Sequence, residues 1–414
     1  MSLPSCDFST SDQTAASIFY RAEAYLQQPI FRVIEYITRR GNPTTSHVFD
    51  NYESKTVEIA YRSFGPAALV GAAAYLCISP HWIPRALVAV VGVVFTFGVI
   101  PLAVHLLCYA FQKKNYIHLR TQVPEIPCNN PKIMTWNILG LPAGLNYTCG
   151  GQRPFRDRFP GIAEVIRREL PDTVIFQECM LDPLVTEMIL QAFKDEYAHF
   201  FIHNGPNTFG IESGLLIMTK SSVYDYSFTL FEEGVSWKKM RGLSTLKIKM
   251  HPEDKHPTFA IISTHLEAGN DPKDREVRAA QLQQIHRFAQ EQLPDVDFVV
   301  LAGDVNIDAN GPEGKDLGRV LKGIHRDGEP TCTNLFNKLV YPEDKCPDYE
   351  WLDQIALILR NDDDAAKDVI QGLKVVPVFK NTEGNPDSST SLSDHNPLIA
   401  TLMLQDKSLR TPSR

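Results

Sequence analysis

The chain has 414 residues, enough for one large domain with an appendage or for two domains. Its 43% hydrophobic and 22% charged residues are the fractions of a globular protein. A net charge of −8 argues against a general nucleic-acid binder, which carries a basic excess on one face. The eight cysteines are scattered without Cys-x-x-Cys spacing, so neither a zinc site, a redox motif nor a disulfide scaffold is expected. They read as reduced thiols, with a Cys332–Cys346 bridge across a loop as the alternative.

Met1 to Thr14 is polar and acidic and lacks the basic start and apolar run of a secretory signal. Ile18, Phe19, Ala22, Tyr25 and Leu26, then Ile30, Val33, Ile34 and Ile37, recur at helical spacing. Pro29 divides them into two helices. With a further helical pattern ending near Arg62, they make residues 1–63 a predicted N-terminal helical region.

Residues 64–112 differ in kind. Two apolar lobes, Phe64 to Ser79 and Ala86 to Phe111, flank the break Pro80 to Arg85. The second lobe has no formal charge and reaches the roughly 20 apolar residues that cross a bilayer. The first is shorter and bracketed by Pro66 and Pro80, so two full spans and a re-entrant hairpin are both open. A buried hairpin of core helices is the bland reading. Lys55 and Arg62 before the lobes, and Lys113, Lys114 and Arg120 after them, place both flanks in the cytosol by the positive-inside rule. Residues 113–130, rich in Pro and Asn near their end, read as a linker.

From residue 131 to 405, short apolar runs alternate with helices and polar loops, the pattern of one α/β or α+β domain; residues 406–414 are a tail. Several runs end or begin in residues competent to bind a metal. Lys132 to Trp136 runs into Asn137, and Thr173 to Gln177 into Glu178. Phe259 to Thr264 runs into His265, and Phe298 to Ala302 into Gly303-Asp304-Val305-Asn306. Asp353 precedes Ile355 to Leu359, and Ser393-Asp394-His395-Asn396-Pro397 precedes a last apolar run. In a mixed sheet, the ends of some strands and the starts of their neighbours share one rim, so these side chains are expected to converge. Carboxylates and amide oxygens suit a hard divalent cation such as Mg²⁺. An Asp-His pair at the mouth of a strand suits a general base. Taken singly, each residue has an ordinary reading as a turn, cap or paired side chain.

The ordered series Asn137, Gln177-Glu178, Ser213-Gly214-Leu215, Thr264-His265-Leu266, Gly303 to Asn306, Leu352-Asp353 and Ser393 to Pro397 resembles the endonuclease/exonuclease/phosphatase superfamily over residues 131–405. The resemblance implies a four-layer sandwich of two packed β-sheets flanked by helices, and Mg²⁺-dependent cleavage of phosphate esters, with Mn²⁺ as a substitute ion. It implies Glu178 as metal ligand aided by Asn137, and His395 as the base oriented by Asp353. Asp304 and Asn306 would position water and phosphoryl group, His265 would bond phosphate oxygens, and Asp394 would complete the outer shell of the metal. Lys239 and Arg241 are weaker candidates for phosphate contact.

The runs around Asp304, His265 and His395 look most like neutral sphingomyelinases, as does the pair of hydrophobic segments before the domain. A phospholipid substrate, a membrane held through that hairpin and a catalytic domain on the cytosolic face are therefore expected. Paired lobes of this kind also resemble those of bacterial proteins inserted into host vacuole membranes. An inositol-polyphosphate 5-phosphatase is the second branch, but Trp351-Leu352-Asp353-Gln354 lacks the Cys and Arg of that group. A nuclease is the third, kept open by Arg153, Arg156, Arg158, Arg167 and Arg168 and opposed by the acidic charge. Gln354 and Glu267 depart from the family pattern and read as signs of an altered head-group preference.

Overall fold

The computed structural model describes residues 116–140, 152–153, 155–179, 183–205, 212–234, 241–254, 258–340, 346–359, 369–378, 381–382, 385–386 and 391–403. The predicted N-terminal helical region, the hydrophobic hairpin and Lys239 lie outside the described residues. In chain order the elements are β1 (Ile117–Arg120), β2 (Lys132–Asn137), α1 (Phe155–Glu169), β3 (Thr173–Gln177), α2 (Pro183–Phe193), β4 (His199–Ile202), β5 (Leu216–Thr219), β6 (Val223–Leu230), β7 (Gly242–Ile248) and β8 (Phe259–His265). They continue with α3 (Pro272–Gln292), β9 (Phe298–Asp304), α4 (Gly314–Val320), β10 (Cys332–Thr333), α5 (Leu335–Val340), β11 (Tyr349–Glu350), β12 (Asp353–Ile358), β13 (Ile370–Val375), β14 (Asn381–Thr382), β15 (Asn385–Pro386) and β16 (Leu398–Leu402).

Two mixed sheets dominate. One has the order β1-β4-β5-β3-β2-β16-β13, the other β12-β9-β8-β7-β6. Each contains one parallel pair, β2 with β3 and β8 with β9, and every other pairing in these sheets is antiparallel. A parallel pair needs a crossover, and α1 and α3 supply the two. Strands such as β3 and β9 are buried on both faces, which is why they read as unbroken apolar runs and not as alternating ones.

Three apolar layers hold the sandwich together. Ile133, Ile175 and Leu398 face Ile261, Val300 and Ile355 between the sheets. Phe159, Ile162 and Ile166 of α1 and Ile189 and Phe193 of α2 cover Trp136 and Phe176 on one outer face. Leu282, Ile285 and Ala289 of α3 cover Ala260, Val299 and Leu301 on the other. Helix α3 starts with Pro272, whose missing N–H is one the first turn leaves unbonded anyway, and the Asp274 carboxylate accepts the Asp271 N–H at 3.2 Å. Two packed mixed sheets with helices on their outer faces agree with the sandwich that the resemblance implies. Among the described residues no helix is long and apolar enough to cross a membrane.

One expectation is corrected. The predicted linker is part of the domain: β1 pairs along β4, Ile126 bridges Ser221, and the Cys128 N–H donates to Met250 O at 2.7 Å. Its prolines hid a short edge strand, a position that tolerates proline nearby because one side of the strand needs no ladder bonds. Cys332 and Cys346 are reduced thiols, as the sequence reading expects, and the alternative bridge does not form; the Cys346 sulfur accepts from Asn270 Nδ2 at 3.1 Å.

Candidate active site

The topology brings the singled-out residues to one rim. Asn137 ends β2 beside Gln177 at the end of β3, and His265 ends β8 opposite Asp304 at the end of β9. Antiparallel β12 begins at Asp353, in register with Asp304. Antiparallel β16 begins just after Asp394-His395, its Leu398 paired with Thr135 of β2. Side chains alternate along a strand, so Asn137, His265, Asp304 and Asp353 share the inward parity of the apolar residues between the sheets. They form the polar end of that layer.

Gly303 makes the close fit of β8 and β9 feasible, since a Cβ there would lie 2.1 Å from the Thr264 carbonyl oxygen. Leu139, Glu178 and Asn306 all adopt positive φ, of 46°, 62° and 50°. Each such residue costs on the order of 1–2 kcal/mol, a strain that persists only where surrounding contacts dictate the backbone. Three of them at one rim aim side chains that an ordinary strand end would scatter.

Asp304 lies at the centre. Its Oδ1 accepts the Asn306 N–H at 2.9 Å. Its Oδ2 accepts from Asn137 Nδ2 at 3.1 Å and lies 3.5 Å from His265 Nε2 and 3.8 Å from His395 Nε2. His395 Nδ1 is bonded to Asp353 Oδ2 at 2.8 Å. Asn137 Nδ2 also donates to Glu178 Oε1 at 3.1 Å, while its Oδ1 accepts the Leu139 N–H. Asn137 therefore turns its amide nitrogen toward the two carboxylates and holds them together. Asn306 Nδ2 donates to the Leu266 carbonyl at 3.0 Å, and the buried Arg241 guanidinium donates to the same oxygen.

The electrostatics are those of crowded acids. Burial, then the Asp394 charge, push the Glu178 carboxyl up to about 7, against the Asn137 bond and the His395 and Arg241 charges. Burial also raises Asp304, helped by Asp353 and opposed by His395. Burial works against an imidazolium at His395. The neighbouring Cys332, Asp353 and Asp304 outweigh it and hold that ring well above its usual value. Desolvation depresses Arg241 despite three nearby acids, Glu267, Glu178 and Asp304. Glu178 Oε2 and Arg241 Nε are buried with no hydrogen-bond partner. A buried donor or acceptor left unbonded costs about 1–3 kcal/mol, and more when charged, so these two atoms mark where an external group would be bound. Ligand atoms of Asp304, Asp353 and His395 also lie within 4.8 Å of one another.

The sequence reading missed the residues that hold this rim in place. Arg158 is fully buried and donates to Ile138 O at 2.9 Å, to Leu139 O at 2.6 Å and to Leu392 O. It clamps the turn after β2 to the segment carrying His395. Its position in Phe155, Arg158, Phe159 and Ile162, one face of a helix, was the available signal. Four of the arginines that kept the nuclease branch open have partners within the protein. Arg158 faces inward, Arg167 pairs with Glu196, Arg168 with Glu169 and Arg156 with Asp157. Ser393 donates to Asn137 O at 2.7 Å and accepts the His395 N–H, and Trp136 Nε1 donates to His395 O at 2.9 Å. Gln354, read as a sign of head-group preference, is structural. It alternates away from the site and exchanges bonds with the His325 backbone.

Residues 134–368 match the Endonuclease/Exonuclease/phosphatase family, and the chain belongs to that family. It is similar to a sphingomyelinase of Dictyostelium discoideum, 26% identical over 150 residues that cover 30% of this chain and 31% of that protein. It is also similar to a phospholipase C of Staphylococcus aureus, 24% identical over 200 residues, 42% of this chain and 59% of that protein. The matches thus span about a third and three fifths of these relatives. Among solved structures, a beta toxin of Staphylococcus aureus superposes with a TM-score of 0.50 at 22% identity, covering 65% of this chain and 99% of that one. SmcL does so with the same score at 18% identity, covering 66% and 99%. These two likenesses are of fold.

Proposed function

We propose that this protein is a Mg²⁺-dependent phosphodiesterase that cleaves a phospholipid head group, sphingomyelin to ceramide and phosphocholine. The observation that carries the reading is the 2.8 Å Asp353–His395 bond, with Nε2 of the same ring facing a cluster of acids of which Glu178 has an unbonded buried oxygen. Sphingomyelinase and phospholipase C relatives support the choice of substrate class.

The donor set fits a hard cation: Glu178 offers a carboxylate oxygen, and Asn137, which also donates to Asp304, orders that carboxylate from behind. When bound, Mg²⁺ would polarise the phosphoryl oxygen and neutralise charge on it. The residues supply the rest. In its neutral form, His395 Nε2 takes the proton of the attacking water. Asp353 holds the Nδ1 proton, fixing the tautomer and stabilising the imidazolium that forms. Asp304 and Asn306 position the water and the phosphoryl group. His265 and Arg241 donate to phosphate oxygens as charge builds, in a buried setting where such bonds count for more than in water. Residues 64–112 hold the site at the bilayer, with the catalytic domain on the cytosolic face.

The test uses the full chain in detergent, with sphingomyelin or phosphatidylinositol bisphosphate vesicles. Phosphocholine release that needs Mg²⁺ and is abolished by EDTA is the expected result. Inorganic phosphate from the phosphoinositide alone would move the protein to the 5-phosphatase branch, and cleavage of DNA alone to the nuclease branch. A chain recovered wholly in the aqueous fraction without detergent would end the membrane reading.

A further inference from the structure

The base pair is assembled from two sheets. Asp353 opens β12 in one, and His395 lies just ahead of β16 in the other. The segment Thr331 to Thr333 crosses between them. Thr331 is fully buried, and its hydroxyl oxygen accepts two backbone N–H groups, those of Leu352 and Asp353, both at 2.9 Å. A hydroxyl has two acceptor lone pairs, and these bonds use both. The Thr331 carbonyl accepts the Asn396 N–H at 2.7 Å. Cys332 is bridged antiparallel to His395, and the Thr333 N–H donates to Asp394 O at 2.9 Å. Both chain neighbours of His395 therefore hang from a strap whose first residue also fixes the backbone of Asp353.

We propose that Thr331 is a positioning residue for the reaction, its hydroxyl setting where the Asp353 carboxylate meets the His395 ring. The proposal rests on the reading of those two residues as the base pair. Thr331 touches neither water nor phosphate. It acts by fixing the start of β12 relative to the His395 turn, which neither sheet's own ladder does. Pairing along β12 stops at Asp353 and Asp304, and pairing along β16 stops at Leu398. Beyond those points the strap is a direct backbone link between the two, acting beside the Trp136 and Ser393 bonds that hold His395 to its own sheet. Valine has the shape of threonine without the hydroxyl and would leave both N–H groups unbonded.

The experiment compares the full chain with Thr331→Val, Thr331→Ser, Asp353→Asn and His395→Ala, using bis(p-nitrophenyl) phosphate and sphingomyelin vesicles. Thr331→Val should lower kcat by about 10- to 100-fold with KM nearly unchanged, the scale set by misplacing a catalytic group by up to about 1 Å. Its pH–rate profile should move toward that of Asp353→Asn, and Thr331→Ser should recover both. In the metal-free protein, the downfield proton resonance of the Nδ1–H bond, absent from Asp353→Asn, should be lost in Thr331→Val and kept in Thr331→Ser. If the valine variant does not fold, Thr331→Ala, with room for a water to take the two N–H groups, carries the same expectation. Wild-type kcat and resonance in a folded Thr331→Val or Thr331→Ala chain, or equal losses in Thr331→Ser, would overturn the proposal. Loss of rate in His395→Ala alone sinks the strap and leaves the base pair standing. A fully active His395→Ala sinks the base pair, and the strap with it.

Discussion

Two histidine–carboxylate pairs in this molecule have nearly the same local geometry and opposite surroundings. His395 meets Asp353 at 2.8 Å on the strand rim, and His199 of β4 meets Glu125 at 3.0 Å on the edge of the seven-stranded sheet. Around Glu125 every charge has an answer. Arg120 lies 2.8 Å away and His118 bonds the far nitrogen of His199. The His199 bond, working against burial, takes the Glu125 carboxyl down to about 2. Around His395 the acids outnumber the cations, and Glu178 is driven the other way, to about 7. The His–acid bond is therefore no guide to function by itself. What separates the two regions is charge left without a partner inside the protein, which is the condition for binding something from outside it.

The largest effect should come from removing the rim histidine. His395→Ala is expected to lower kcat by about 10²–10⁴-fold, the usual contribution of a general base, while His199→Ala leaves kcat within about twofold of wild type. Steady-state rates on one diester substrate decide this, and a comparable loss in both variants would erase the distinction. Asp353→Asn sharpens it. A base works only when unprotonated, and Asp353 is one of the groups raising the His395 pKa. Without that charge, the acid limb of the pH–rate profile should move to lower pH even as the maximum rate falls.

A metal comes next in size. Below about pH 7 a proton occupies Glu178 and competes with Mg²⁺, so apparent affinity should fall by about tenfold per pH unit there and level off above it. Calorimetric titration of the Mg²⁺ response at several pH values measures this. A flat dependence between pH 5 and pH 8, as rough bounds for the titration, would remove Glu178 as ligand.

The smallest effect belongs to the edge pair. The folded-state pKa of Glu125 is depressed from 4.5 to about 2, so its contribution to stability is present above the unfolded value. It is lost as pH falls from 4.5 toward 2. Glu125→Gln should destabilise the neutral-pH protein by about 1 kcal/mol, because the amide oxygen can still accept the His199 bond while the charge is lost, and the gap should close across that acid window. Urea melts at neutral and acid pH test the sign.

Much of this site was legible because its residues sit at the ends of apolar runs. The run Thr173 to Gln177 is β3 residue for residue, and His265, Asp304, Asp353 and His395 come together as the strand ends implied. What stayed hidden depends on partners far along the chain. Trp136 bonds a carbonyl 259 residues away and Arg158 one 234 residues away, and no local pattern reports a contact of that kind. Composition misled where β1 is followed by Pro124, Pro127 and Pro131. Of the arginines that kept a nuclease open, Arg158 is a buried clamp, a role that its basic neighbours masked. Gln354 was misread for want of its neighbour: strand alternation turns it from the site that its predecessor Asp353 enters.

The polar rim is a seam between two sheets, and this gives the molecule an unusual order of failure. Asn137, Glu178 and His395 belong to one sheet and His265, Asp304 and Asp353 to the other. Among the described residues no strand of one sheet pairs with a strand of the other, and only the Thr331 to Thr333 strap spans the rim with backbone bonds, so separation of the sheets by a fraction of an ångström would dismantle the chemistry while the strands within each sheet kept their ladder bonds. In a denaturant series, turnover should therefore disappear before the far-ultraviolet signal of the strands does, making activity the earliest reporter of unfolding.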